Sequence, residues 1–537
     1  MKRSKKNQKV VLLLCMCLVL CLLAGCGKKK SSGGFGGLVG HKSTESEKEF
    51  PWGKKTEETT REPKTTSTDN TTQETTTTED ITEPPATVNG RIENAAYVMI
   101  YNPKIFDEYN ENTISLTSLN TGDISSQIQT GIKRAEGLQP EMPVMVSPKQ
   151  VDFGGDAKPK QGNRAGGMDP AYSKGDVHDF FVYDDYLQNR LKKSFTCIYE
   201  GDHCYLWDVD GSVSSGDAKT LGKAFDEDIY DKDVKAFGTG RFTENGGKVN
   251  ILLYPMMDNL GGFQTTYDMF ATGEYTKEEA DTFKLNLDHA IININSRVIA
   301  DDMAFVKSTL AHEFQHQICA TDSVNKNAYL IRAWLNEAMS AYAEELVYPG
   351  IKYEKGYDQC YFESEENCKG ESLFNFDNEL GSYGAVYLFE KYITEKSSGD
   401  VFTKVHSSWR SSTEDMPSEA NLLYDSVSAS FRDEISDKYQ YPSSIDGAVG
   451  SAKDVWMSKM TLDFNLYCLK HKISENESQL HEAMLYSEIN PVSIEGGGRI
   501  IVELKNGSFD IPDDADSGLV YIGLDRDYNP VTGIVTK

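Results

Sequence analysis

The chain has 537 residues, with 83 Asp and Glu against 55 Lys and Arg, a formal net charge of −28, and 39% hydrophobic residues. That charge argues against a nucleic-acid partner and against electrostatic adhesion to anionic lipid, because both attract basic patches. The length left after the low-complexity N-terminal part suffices for a large core and two or three structural units.

Lys2, Arg3, Lys5, Lys6 and Lys9 precede an apolar run from Val10 to Ala24, the charged-then-apolar layout of a secretory signal. The run is shorter than the roughly 20 residues that span a bilayer, although an uncleaved signal anchor is the competing reading. It ends in Leu23-Ala24-Gly25-Cys26, which looks like the bacterial lipobox. That likeness implies a signal peptide over 1–25 and a lipid on Cys26, the mature N-terminus. Residues 26–90 run through Lys28-Lys29-Lys30, a Gly-rich patch and a Thr/Glu tract with Thr75-Thr76-Thr77-Thr78. Such a segment cannot bury a core. As a flexible tether it spans about 40–50 Å on average, enough to hold a domain off a membrane, and a plain disordered spacer has the same composition.

Residues 91–235 read as a β-rich N-terminal region with long loops. Ala96 to Tyr101 and Cys204 to Trp207 have the branched and aromatic residues of strands, and 154–176 reads as a loop. Asp208-Val209-Asp210-Gly211 is expected to be a hairpin turn, since it lacks the later ligands and closing Glu of a calcium loop. Cys15, Cys17 and Cys21 go with the signal. Six cysteines remain, an even number that permits disulfides in an exported chain. Cys197 and Cys204 flank the turn Glu200-Gly201-Asp202 and are expected to bridge two strands, and Cys360 and Cys368 to close a loop. Buried free thiols are the alternative for both pairs.

Residues 236–445 carry the chemistry. A buried-type strand at 248–254 is followed by a Gly261-Gly262-Phe263 loop and a second strand, Ala290 to Asn295. Asp301 or Asp302 is placed to cap a helix that reaches about Ala320, and the next helix runs from about Asn327 to Pro349-Gly350. The first contains His312-Glu313-Phe314-Gln315-His316. Residues four apart share one helix face, so both imidazoles can bind one metal ion without moving the backbone. Glu313, one residue round, is turned off the ligand pair, where a general base acting on a water belongs. Glu337, in Trp334-Leu335-Asn336-Glu337-Ala338, can face both histidines, because a short link favours antiparallel helices. Catalytic zinc keeps three protein ligands, of which His2Glu is one standard set, and leaves a fourth position open. Two surface histidines on an ordinary helix are the bland reading, weakened by the Asn-Glu pair. Trp334 and Leu346 are expected to pack between the helices.

These motifs resemble those of the gluzincin metallopeptidases, the thermolysin-like superfamily. Within it the chain is most similar to the hyicolysin-like peptidases, because Trp334 to Glu337 is joined by Ser382-Tyr383-Gly384-Ala385-Val386-Tyr387-Leu388-Phe389. The resemblance covers about residues 245–400. It implies that His312, His316 and Glu337 hold one zinc ion and that Glu313 is the general base. It also implies that the strand 290–295 is a sheet edge along the cleft, to which an extended peptide adds, an interior strand being the alternative. Ala341 stands where thermolysin-like enzymes carry an Asp, so the carboxylate orienting His312 must come from elsewhere, and Glu344 is the candidate. Tyr383 is expected to donate to the oxyanion, with Tyr387 and His406 as alternatives and core packing as its bland reading.

Residues 446–537 form a C-terminal helical and β region, helix-like from Asp454 to Ser487 and strand-like over 499–537, either a terminal module or packed back on the catalytic unit. The fold class is α+β, a gluzincin-type domain of mixed sheet and zinc-binding helix pair behind a β-rich region. The functional expectation is a zinc metallopeptidase, an endopeptidase acting on peptide or protein substrates. It would be attached by its N-terminal lipid to the extracellular face of the bacterial cell membrane. A catalytically silent zinc or wall-binding lipoprotein is the rival. An aminopeptidase is disfavoured, since no Gly-x-Met-Glu-Asn segment precedes His312.

Overall fold

The computed structural model describes residues 90–105, 114–116, 171–471 and 492–537, less short stretches within the last two ranges. The signal, Cys26, the tether, Cys368 and residues 154–170 lie outside the described residues. Three short strands come first, β1 (Arg91–Glu93), β2 (Tyr97–Tyr101) and β3 (Ile114–Leu116). They are followed by β4 (Val177–Tyr183), β5 (Arg190–Glu200), β6 (Cys204–Asp208), β7 (Val249–Tyr254), β8 (Gly262–Gln264) and β9 (Ile291–Asn295). β4 to β9 make one six-stranded mixed sheet in the order β4-β5-β6-β7-β9-β8. β6, β7 and β9 run parallel, and the outer strands pair antiparallel. This sheet takes strands from both sides of residue 235.

A parallel β6–β7 pair needs a crossover, and helices α1 (Ser215–Ala224) and α2 (Tyr230–Phe237), joined by a π-helical turn, supply it. The strand reading of 91–235 missed them. Their signal is local: Ser214 caps α1 by accepting from Asp217 N, and Ala218, Leu221, Phe225 and Ile229 recur at helical spacing on the buried face. The Asp208 turn therefore leads from a strand into a helix instead of closing a hairpin. Its carboxylates are engaged by the turn's own amides, Asp208 by Val213 N and Asp210 by Ser212 N.

Two further expectations are corrected. β9 is not an edge, because β7 pairs with one side of it and β8 with the other. The edge is β8, three residues that Gly-Gly-Phe does not announce as a strand. A Cβ at Gly262 would come 2.7 Å from the carbonyl of Asn293, so glycine is what lets β8 close onto β9. Cys197 and Cys204 form no bridge. Cys197 packs with Phe180, Phe195 and Trp207 on one face of the sheet, while Cys204 packs with Leu221, Phe225 and Val249 on the other. Burial pushes the Cys197 thiol up to about 11.

The remaining helices are α3 (Lys277–Phe283), α4 (Met303–Lys326), α5 (Ala333–Val347), α6 (Ile351–Glu354), α7 (Tyr357–Glu363) and α8 (Leu380–Lys396). Then come α9 (Val401–Ser411), α10 (Glu419–Ser426), α11 (Ala429–Lys438), α12 (Ser443–Val449) and α13 (Ala452–Lys470). Asp302 caps α4 by accepting from Phe305 N at 3.0 Å. The main core joins one face of the large sheet to α4, α5, α8, α9 and α13, and Trp334 packs edge-on to Phe374 and Phe389 within it. C-terminal strands β10 (Val492–Ile494), β11 (Arg499–Glu503), β12 (Ser508–Asp510) and β13 (Val520–Leu524) return to the start of the chain. β2 sits between β11 and β13, β1 pairs with β12, and β3 pairs with β10. The fold is α+β. No described helix is long and apolar enough to cross a membrane.

Candidate metal centre

α4 and α5 are apolar enough to be buried on most sides, so the polar groups they carry must satisfy one another. Ser308 meets Glu344 at one end of the pair, and His316 meets Glu337 and Ser340 towards the other, so the two helices run antiparallel. His312, Glu313, His316 and Glu337 are all buried.

The two His Nε2 atoms lie 3.1 Å apart. Glu337 Oε2 is 3.1 Å from His312 Nε2, and Glu337 Oε1 is 3.3 Å from His316 Nε2. These separations, between two imidazole nitrogens and the two oxygens of one carboxylate, are close to the edge length of a tetrahedron, about 3.3 Å for a metal with ligands at about 2.0–2.1 Å. Glu337 Oε2 finds no well-directed hydrogen bond there, as expected of a donor set built for a cation. Among the described residues this is the group of His, Cys, Asp and Glu able to hold a metal, its ligand atoms all within 4.8 Å of one another.

The electrostatics follow from crowding charges in a dry site. Burial opposes a charge on His312, but Glu337 and Glu344 outweigh it and raise its proton affinity to about 10. Burial likewise works against the Glu337 carboxylate, and the two histidines overcome it and hold its pKa well down. His312 Nδ1 donates to Glu344 Oε1 at 2.7 Å, which fixes the ring and turns Nε2 to the centre. The orienting carboxylate expected one turn beyond Ala341 is thus Glu344.

Glu313 sits beside this triad with neither oxygen hydrogen-bonded among the described residues. Its pKa is raised by burial, with the histidines offsetting part of the effect.

Tyr383 lies in an aromatic cluster with Phe305, Tyr357 and Tyr387. Tyr387 belongs to the same cluster, and the carboxylates that act on it are Glu345, Asp358 and Glu390, none of them in the triad. His406 stands 3.3 Å from Asp322 and packs against Phe237 and Trp409. Tyr357 is the phenol the sequence did not single out: burial and the carboxylates of Glu344, Glu337 and Glu313 hold its proton far above the ordinary range. No spacing rule marks it. The Gly384-Ala385 step brings it in, because a Cβ at Gly384 would meet Tyr357 O at 2.6 Å and Tyr361 N at 2.5 Å, so only glycine lets α7 lie this close to α8.

An H-E-x-x-H helix against an antiparallel helix that carries a glutamate, beside a mixed sheet, is the arrangement that the resemblance to gluzincin metallopeptidases implies. The chain is similar to the neutral metalloprotease ShpI of Staphylococcus hyicus, with 29% identity over 249 residues, which are 43% of this chain and 54% of ShpI. It thus spans about half the length of that relative. No protein-family model matches the chain. The resemblance to the hyicolysin-like peptidases, drawn from two motifs, agrees with this similarity.

Proposed function

We propose that the protein is a zinc endopeptidase, displayed on the outer face of a bacterial cell membrane by a lipid on Cys26 and held off it by the tether. The observation that carries the reading is the converging donor set of His312, His316 and Glu337 beside the partnerless Glu313. These three residues would hold the zinc ion, which when bound acts as a Lewis acid on water and on the scissile carbonyl.

Glu313 accepts the proton of the attacking water and returns it to the leaving amine. Its burial raises its proton affinity above that of an exposed carboxylate, which makes it a stronger base. Glu344 holds His312 in the tautomer that keeps Nε2 free. Tyr383 steadies the oxyanion, and Tyr357 is the neighbouring phenol that takes the role if Tyr383 proves silent. The open edge of β8 offers backbone groups to which an extended peptide adds, and Thr309 of α4 packs beneath it.

The test is Glu313→Gln, which keeps size and ligands but cannot take a proton. The variant should bind one zinc per chain as wild type does, while peptide cleavage falls by about 10² to 10⁴-fold. Equal cleavage by both proteins sinks the mechanism. A zinc-loaded wild type that cleaves no member of a peptide library, with or without chelator, identifies a silent surface protein instead.

A further inference from the structure

The chain of contacts behind His312 does not end at Glu344. Lys352, on the one-turn helix α6, is buried, with its ammonium 2.7 Å from Glu344 Oε1 and 4.0 Å from the centre of the Tyr357 ring. Ser308 donates to the other oxygen of Glu344, so His312, Lys352 and Ser308 together fix that carboxylate. A buried lysine pays a large desolvation cost unless it is paired, and an aromatic face adds a second favourable contact. The site holds three buried carboxylates, Glu313, Glu337 and Glu344. A dication and one ammonium balance three carboxylates. Take Lys352 away and a loaded site keeps one uncompensated buried negative charge.

We propose that Lys352 is a positioning residue of the metal site, acting through Glu344: its ammonium and the Tyr357 ring above it lock the carboxylate that aims His312 at the ion. This rests on the metal-site reading and adds to it a link from α6, outside the motif. The sequence gives it no marker, because Lys352 follows the helix-ending Pro349-Gly350 and meets Glu344 only when the chain turns back.

The experiment measures zinc affinity of the full chain by competition with a chromophoric chelator, with far-ultraviolet circular dichroism of each metal-free protein alongside. Lys352→Met should bind zinc about 10- to 100-fold more weakly than wild type while keeping its helix content, the size of effect seen when a partner of a metal ligand is lost. Lys352→Arg, which keeps the charge, should recover part of that loss. In a Glu344→Gln background the Lys352→Met change should cost nothing further, since the residue acts through that carboxylate. Wild-type affinity in Lys352→Met overturns the proposal, and so does an equal loss in both backgrounds. Should Lys352→Met fail to fold, Glu344→Gln and Glu344→Gln/Lys352→Met decide: neither leaves a lone buried carboxylate at 344, and the double variant also removes the ammonium that Glu344→Gln leaves unpaired. Equal or higher affinity in the double variant supports the link and a further loss refutes it. Because the readout is binding, a wild type that holds zinc but cleaves nothing refutes the peptidase reading and leaves this link standing.

Discussion

Carboxylates lie on two sides of α5, and they are treated in opposite ways. Towards α4, Glu337 and Glu344 face two imidazoles and an ammonium, and both are held ionised against the penalty of burial. Towards α8, Glu390 faces Glu345, one of its oxygens has no hydrogen-bond partner among the described residues, and burial followed by that like charge pushes its pKa up to about 8. The same residue type in the same helix layer is thus an anion on one side and a neutral acid near pH 7 on the other. What separates them is the cation supplied by the fold: side chains and a metal socket in the first case, little in the second.

Breaking the first side should have the largest effect. His312→Ala removes one of three ligands, so metal analysis should find less than a tenth of an equivalent of zinc after dialysis, and cleavage should fall to background. A full equivalent in that variant would show that the ligands lie elsewhere. Next in size comes the pair Tyr383→Phe and Tyr357→Phe. Removing the oxyanion donor should lower kcat by about 10²-fold with KM nearly unchanged, while the other substitution should cost only a few-fold. Two mild effects would place the donor at neither of these phenols.

The second side gives the smallest effect. The folded pKa of Glu390 is raised above its ordinary value, so the folded state holds a proton that the unfolded chain has released. Its contribution is most favourable below about pH 4.5 and is lost as pH rises towards 8. Glu390→Gln removes this dependence. Urea midpoints should show the variant gaining on wild type between pH 5 and pH 8, by on the order of 2–4 kcal/mol at the upper end. A constant difference across that range would mean that Glu390 is ionised throughout.

The sequence alone brought out the three candidate metal ligands, His312, His316 and Glu337, and the carboxylate of Glu344 behind His312. These relations are local: four residues set His312 over His316, and two helical turns set Glu344 on the same side of α5 as Glu337. It also determined the helix-pair architecture, since Asp302 marks the start of α4 and Pro349-Gly350 the end of α5. What it did not determine rests on pairings between distant segments. β9 has all the marks of a strand but none that tell an edge from an interior position, and the true edge, β8, is too short and glycine-rich to read as a strand. Cys197 and Cys204 look bridgeable across a turn, yet alternation along the strands sends them to opposite faces of the sheet. β2 reads as a strand from its residues, but its neighbours β11 and β13 come from the far end of the chain. Lys352 reaches Glu344 only because α6 turns back after α5, and Tyr357 comes beside them because α7 lies against α8, where Gly384 lets the backbones touch. Periodicity fixes which face a residue occupies, and only packing decides what that face meets.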